Sequence, residues 1–421
     1  MASQNLVNLV DTAMVGTLGD QALAAVGLSS FVNFMAVSFM MGMSSGVQAM
    51  CARWKGAGRY GEIAVPLNGG LLLAVLICVP ATVALIAATP WILTALAPEA
   101  RVAEIGTSYL QMRLVGMTAV AMNFAFRGYW NAVNLSRLYM MTLVAMHACN
   151  IALNWVLIFG NLGAPALGAQ GAGLSNAIAT WLGTAFYFGF AMRFGRGEGF
   201  LVGLPSRDTM RTMFSTSLPA GLQQLLFASG MTALFAILGR MGTAELAAGN
   251  VLIQVMLVTI LPSIGFGLAA ATLVGQSLGA RNVDEAYAWG WRVARFATVV
   301  VVVLAVPAVF APTLVLTPFL HDPVTRELAA WPLRIAALSA PIECVGAVLL
   351  NAHLGAGSSR TVLGVSAFTQ WGVFLPVAWL LGPVLGFGLT AIWAAQAGYR
   401  ALNLALFAWS WRRRAWATVE M

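Results

Sequence analysis

Stretches of predominantly apolar residues, each ended by charged residues or by glycine and proline, follow one another along the whole chain. Taken as helices, they run approximately over Asn5–Leu18, Ala22–Met50, Ile63–Leu96, Ile105–Phe126, Leu138–Phe159 and Leu167–Phe194. Six more follow over Met210–Leu238, Leu246–Val274, Ala286–Leu316, Leu328–Leu354, Val362–Leu381 and Leu385–Trp411. A helix needs roughly 20 apolar residues to cross a bilayer, whereas a transmembrane strand needs about ten that alternate. The runs are of the helical kind, so the pattern predicts an all-α polytopic membrane protein with about twelve transmembrane helices.

Composition sharpens this. Of 421 residues, 60% are apolar and 9% charged, where a soluble domain carries about 25% charged residues, which excludes a water-soluble fold. The net charge of +8 does not point to nucleic acid, because the basic residues lie between apolar runs and alternate in density. One set of connections holds Arg53, Lys55 and Arg59; Arg127 and Arg137; Arg193, Arg196, Arg207 and Arg211; Arg281, Arg292 and Arg295; Arg360; and Arg412, Arg413 and Arg414. The other set holds Arg101, Arg240 and Arg326. By the positive-inside rule, the first set and both termini are expected in the cytoplasm, with the chain in the inner membrane.

The sequence also resembles itself at a shift of 223 residues. Gly16, Gly19, Leu23, Ala24 and Ala25 fall on Gly239, Gly242, Leu246, Ala247 and Ala248; Gly56, Ala57 and Glu62 fall on Gly279, Ala280 and Glu285; Ser136 and Arg137 fall on Ser359 and Arg360. Two homologous six-helix lobes are therefore expected, residues 1–194 and 209–421, joined by a polar connection over 195–208. Six is even, so both copies start on the same side and the repeat is parallel, an arrangement common in transporters.

Most acidic residues lie in connections or near span ends, which leaves Asp11 and Glu343 inside predicted spans. A carboxylate there needs a partner or a water-filled cavity, so both are functional candidates, with Arg334 a potential partner for Glu343. Asn150 and Asn154 share one helix face, as do Asn250 and Gln254, and amides in lipid turn toward the bundle interior. Asn250 and Gln254 are candidates for lining a substrate cavity. His147 and His353 stand without a second ligand or carboxylate nearby in sequence and are read as structural. Cys51, Cys78, Cys149 and Cys344 show no ligand spacing, so no metal site is expected. No paired carboxylates, HExxH, nucleophile motif or cofactor fingerprint supports an enzyme or a bound cofactor.

Several segments carry a family resemblance. "VDTAMVGTLGDQALAAVG" at Val10–Gly27, "LIFGNLGAPALGAQGAG" at Leu157–Gly173, "LPSIGFGLAAATLVGQSLGARNVDEA" at Leu261–Ala286 and "LGAGSSRT" at Leu354–Thr361 resemble the multidrug and toxic compound extrusion (MATE) family. The resemblance implies twelve helices in two lobes and cation-driven export of amphipathic, often cationic, compounds by a rocker-switch motion. It implies that Asp11, the acid of the "VDT" motif, binds the coupling proton or sodium together with Asn150, Asn154 and Asn176. One branch of the family often carries Asp at the position of Asn154, and its absence here removes a sodium ligand. Another branch carries an acid where Glu343 stands and a second where this chain has Phe227, so a full sodium site in the second lobe is not expected. A carboxyl flanked by neutral amides rather than by Arg favours H+ over Na+ as coupling ion. One proton moving down 100 mV supplies about 2.3 kcal/mol.

A lipid-linked oligosaccharide flippase of the same broad superfamily is the alternative. It calls for a strongly basic cavity, and the in-span arginines are Arg113, Arg334 and Arg400. The expected partners are small organic substrates and the bilayer, with the protein a monomer. The first span is short, with ten residues ahead of Asp11, so the first helix is expected to be incomplete through an upstream start or a truncation.

Overall fold

The computed structural model describes residues 10–97, 99–203, 205–320 and 322–419, and every regular element among them is helical. Residues 10–16 form α1, followed by α2 (Asp20–Gly56), α3 (Val65–Leu96), α4 (Ala100–Leu114), α5 (Met117–Ala132), α6 (Ser136–Phe159) and α7 (Ala169–Phe194). The chain continues through α8 (Arg207–Met241), α9 (Thr243–Gly279), α10 (Val283–Phe310), the short α11 (Pro312–Leu316) and α12 (Pro323–Gly355). It ends with α13 (Ser359–Val384) and α14 (Gly388–Arg413). Among the described residues, eight helices are long and apolar enough to cross a membrane, namely α2, α3, α6, α8, α9, α10, α12 and α13. The all-α membrane fold expected from the apolar runs is the one formed. The expectation of an incomplete first helix concerns residues 1–9, which lie outside the described residues.

Two departures from the apolar runs have local causes. The stretch Ile105–Phe126 is not one helix, because the chain breaks at Val115 and Gly116 between α4 and α5. A Cβ at Gly116 would lie 3.1 Å from Ala177 Cα of α7, so the break sits where backbones meet closely. Within α13, residues Phe368–Phe374 and Leu380–Val384 wind as π-helix. There the Thr369 hydroxyl donates to the Val365 carbonyl one turn earlier at 2.8 Å.

The chain divides into two compact units, residues 1–55 with 59–221, and residues 56–58 with 222–421. The division falls inside α8. In the first unit the polar connection after α7 is tied down rather than loose. Asn68 Nδ2 donates to the Gly199 carbonyl at 2.9 Å, its Oδ1 accepts from the Leu201 N–H at 3.1 Å, and the Tyr129 hydroxyl donates to Glu198 at 2.5 Å. Lys55, the single lysine, donates to the Val133 carbonyl at 2.7 Å and so satisfies a carbonyl left open at the end of α5.

In the second unit α12 is central and packs on α9, α10 and α14. Asn282 caps α10 by accepting from the Glu285 N–H at 3.0 Å, while its amide donates to the Glu285 carboxylate at 3.1 Å, a reciprocal cap. Asp322 caps α12, and hydrogen bonds from Thr325 hold its carboxyl below the usual range.

Close helix contacts rest on glycine. A Cβ at Gly173 in α7 would lie 2.3 Å from the Tyr109 carbonyl oxygen of α4, whereas one at Gly189 in the same helix meets nothing within 4 Å. With no hydrophobic drive between helices in lipid, such backbone approaches carry much of the association. Gly173→Ala is expected to destabilise the protein by about 1–3 kcal/mol through overpacking, with Gly189→Ala close to neutral. Thermal unfolding of both variants in detergent checks this.

Candidate functional site

The predicted acid and amides of the first unit do meet. The half-buried Asp11 projects from α1 toward α6, where Asn154 Nδ2 donates to Asp11 Oδ1 at 2.5 Å. Asn150, one turn earlier, is buried beside it. Amide nitrogen and oxygen are assigned from their neighbours. With both satisfied, Asn150 Nδ2 donates to the same Asp11 oxygen at 3.1 Å and its Oδ1 accepts from the Asn176 backbone N–H at 3.3 Å. Asn176 thus enters the cluster through its main chain. The i, i+4 spacing of the two asparagines on α6 is what lets both amides reach one carboxylate.

Two features of this cluster matter chemically. Two N–H donors point at one carboxylate oxygen, while the buried Asn154 Oδ1 has no hydrogen-bond partner among the described residues. The cluster therefore holds a carboxylate next to an open acceptor, a fit for an O–H that the carboxyl acquires on protonation. The second feature departs from the expectation of purely neutral surroundings. Arg113 on α4 lies within electrostatic range of Asp11. Its guanidinium is held by the Ser30 hydroxyl at 3.1 Å and by the Tyr109 hydroxyl. In sequence Arg113 stood out only as an in-span arginine, and its spacing of four from Tyr109 was the available signal. His147, on the same α6 face as Asn150 and Asn154, is buried with Nε2 unpartnered among the described residues.

The second unit is built differently. Glu343 on α12 forms an ion pair with Arg400 on α14 at 2.6 Å, their side chains 24% and 11% exposed. Arg334, the partner considered from sequence, instead lies over the Trp331 ring at 5.1 Å. Next to the pair, Asn403 donates to Thr369 of the π-helical segment at 3.0 Å. Asn250 and Gln254 share a face of α9, where both are exposed and Gln254 donates to Asn250 at 3.4 Å. His353 is fully buried between the Phe407 and Trp411 rings, its nitrogens 2.8 Å from the Leu349 carbonyl and 3.1 Å from the Ser410 hydroxyl. That is a structural environment.

Comparison with known proteins places these sites in context. Residues 1–156 and 219–380 match the MatE family, two blocks offset by close to the internal repeat. The chain is similar to a multidrug resistance protein NorM of Burkholderia vietnamiensis, 27% identical over 420 residues, covering 97% of this chain and 89% of that one. A probable multidrug resistance protein NorM of Bradyrhizobium diazoefficiens is 29% identical over 404 residues, covering 91% and 84%. Among solved structures, a MOP superfamily transporter from Pyrococcus furiosus superposes with a TM-score of 0.88 at 20% identity, over 100% of this chain and 94% of that one. That last likeness concerns the fold.

Proposed function

The chain belongs to the MatE family, and on that premise we propose that it is a multidrug exporter that exchanges amphipathic or cationic organic compounds for protons by rocker-switch alternating access. Membership makes it an integral membrane transporter rather than an enzyme. The observation that carries the coupling proposal is the first-unit cluster. Asp11 Oδ1 receives N–H groups from Asn154 and Asn150, and the Asn154 carbonyl oxygen has no partner among the described residues.

A sodium ion asks for several oxygen ligands at once. Here both amides present nitrogen to the carboxylate, and the Arg113 charge opposes a second fixed cation. A proton asks only for one carboxyl oxygen and one acceptor. On this reading Asp11 takes up a proton when its lobe opens outward and releases it inward, with Arg113 favouring release. Asn250 and Gln254 offer polar contacts to substrate on an exposed face of α9. The protein acts as a monomer in the inner membrane with both termini in the cytoplasm. The two-charge pairing in the second unit and the scatter of Arg113, Arg334 and Arg400 do not favour a pyrophosphate-binding flippase.

The test is efflux of a fluorescent organic cation from proteoliposomes. Efflux is expected under an imposed pH gradient and is expected to stop when that gradient is collapsed. Equal efflux driven by sodium alone overturns the proton assignment, and no efflux under either gradient overturns the exporter reading.

A further inference from the structure

The second unit contains a cavity that the transport proposal does not use. It has a volume of about 560 Å³ and opens between α10, α12 and α14, lined by Tyr287, Trp291, Arg295, Val345 and Arg412 among others. Two arginines and two aromatic rings face one space, and the described lining includes no carboxylate. Arg412 lies 5.9 Å from the Trp291 ring centroid. Neither Arg412 nor Arg295 is in an ion pair among the described residues. Their neighbour Arg414, by contrast, is neutralised by Asp284 at 2.6 Å.

The walls are brought together by a specific joint. A Cβ at Gly290 would lie 2.8 Å from the Trp411 ring, and Trp411 Nε1 donates to the Tyr287 carbonyl at 3.3 Å. Trp411 in turn stacks on Trp416 at 4.0 Å. The joint fixes the end of α14 against the start of α10, and Arg412 and Arg295 line the same cavity.

The position of the cavity along the helices says what kind of anion would enter. Arg295 immediately precedes the apolar run Phe296–Phe310 on α10, and Arg412 immediately follows the apolar end of α14. Both arginines therefore sit at the edge of the hydrocarbon layer, on the arginine-rich side. Trp and Tyr are enriched at that depth. Directly along α10 from Arg295, on the same helix face, Val299, Val302, Val303 and Val306 are exposed. A soluble phosphate would use the arginines alone. An amphiphile with an anionic head uses the arginines and the valine stripe together.

We propose that this cavity binds the headgroup of an anionic phospholipid, the phosphate between Arg295 and Arg412, the glycerol region against Trp291 and Tyr287, and an acyl chain along the Val299–Val306 face. Guanidinium pairs suit phosphate because they donate several hydrogen bonds in fixed geometry. The site is independent of the coupling cluster in the first unit and makes the second unit sensitive to the charge of its own leaflet.

The experiment is a titration of the detergent-solubilised full chain with phosphatidylglycerol or with phosphatidylcholine of the same acyl chains, read by native mass spectrometry. One phosphatidylglycerol is expected to be retained in preference to phosphatidylcholine. Arg295→Gln with Arg412→Gln should weaken that retention by roughly 30-fold, the combined effect of two basic residues near a charged headgroup. Arg413→Gln should leave it unchanged, since that guanidinium lies over Trp409 at 3.9 Å and outside the lining. If the double variant does not fold, Thr298→Trp serves instead; Thr298 also lines the cavity, so the larger ring fills that space without removing charge and should also lower retention. Unchanged retention in a folded variant overturns the site, as does an equal loss in Arg413→Gln. Displacement of the lipid by millimolar inorganic phosphate or glycerol phosphate overturns its assignment to lipid.

Discussion

Asp11→Asn is expected to abolish proton-linked export while leaving the protein folded. The substituted amide has the shape of the carboxyl, and its oxygen still accepts from Asn154 and Asn150, which now donate at 2.5 and 3.1 Å. What it lacks is a group that gains and loses a proton. When a monovalent cation leaves in exchange for one proton, no net charge moves, so the membrane potential drops out and the pH gradient is the remaining force. One pH unit is then worth about 1.36 kcal/mol per proton, a tenfold substrate gradient. In Asp11→Asn that gradient should collapse, and everted vesicles should show neither drug-induced proton movement nor accumulation. Intact drug-linked proton movement in the variant would falsify the role given to Asp11. Arg113→Gln is the informative companion. If Arg113 assists release, its loss should slow turnover without removing the pH dependence.

The bilayer explains why so much of the fold was legible beforehand. Every backbone group crossing lipid must be satisfied within its own segment, so apolar length and helix coincide, and runs such as Leu138–Phe159 reappear as α6 with little change. Where the departure from a straight helix is local, hydropathy is silent. Val115 and Gly116 sit inside an apolar stretch, yet the chain breaks there, at the point where α7 comes close. The π turns of α13 are equally invisible to a pattern that records only polarity. The site followed the same division. Asn150 and Asn154 were readable because four residues on a helix is a spatial statement. The family resemblance groups Asp11 with Asn150 and Asn154, whereas hydropathy and spacing alone do not, because that meeting, like the pairing of Glu343 with Arg400, depends on which helices become neighbours. The main-chain contribution of Asn176 has no side-chain signature at all.

The pairing of Glu343 with Arg400 leads to the second large effect. A charge largely removed from water is tolerable because its partner is 2.6 Å away, and removing one partner leaves the other uncompensated, at a cost of about 3–5 kcal/mol. Arg400→Gln is therefore expected to reduce the yield of folded protein sharply and to lower its apparent melting temperature in detergent, and Glu343→Gln should do the same by stranding Arg400. The double variant should recover most of the loss, since two neutral amides can bond to one another and no uncompensated charge is left at the pair. Transport then separates a structural pair from a coupling acid. If Glu343 serves only to neutralise Arg400, the double variant exports under a pH gradient at close to the parental rate. If the recovered, folded double variant has lost proton-driven export, Glu343 takes part in coupling, and the second unit carries a proton path that Asp11 does not account for.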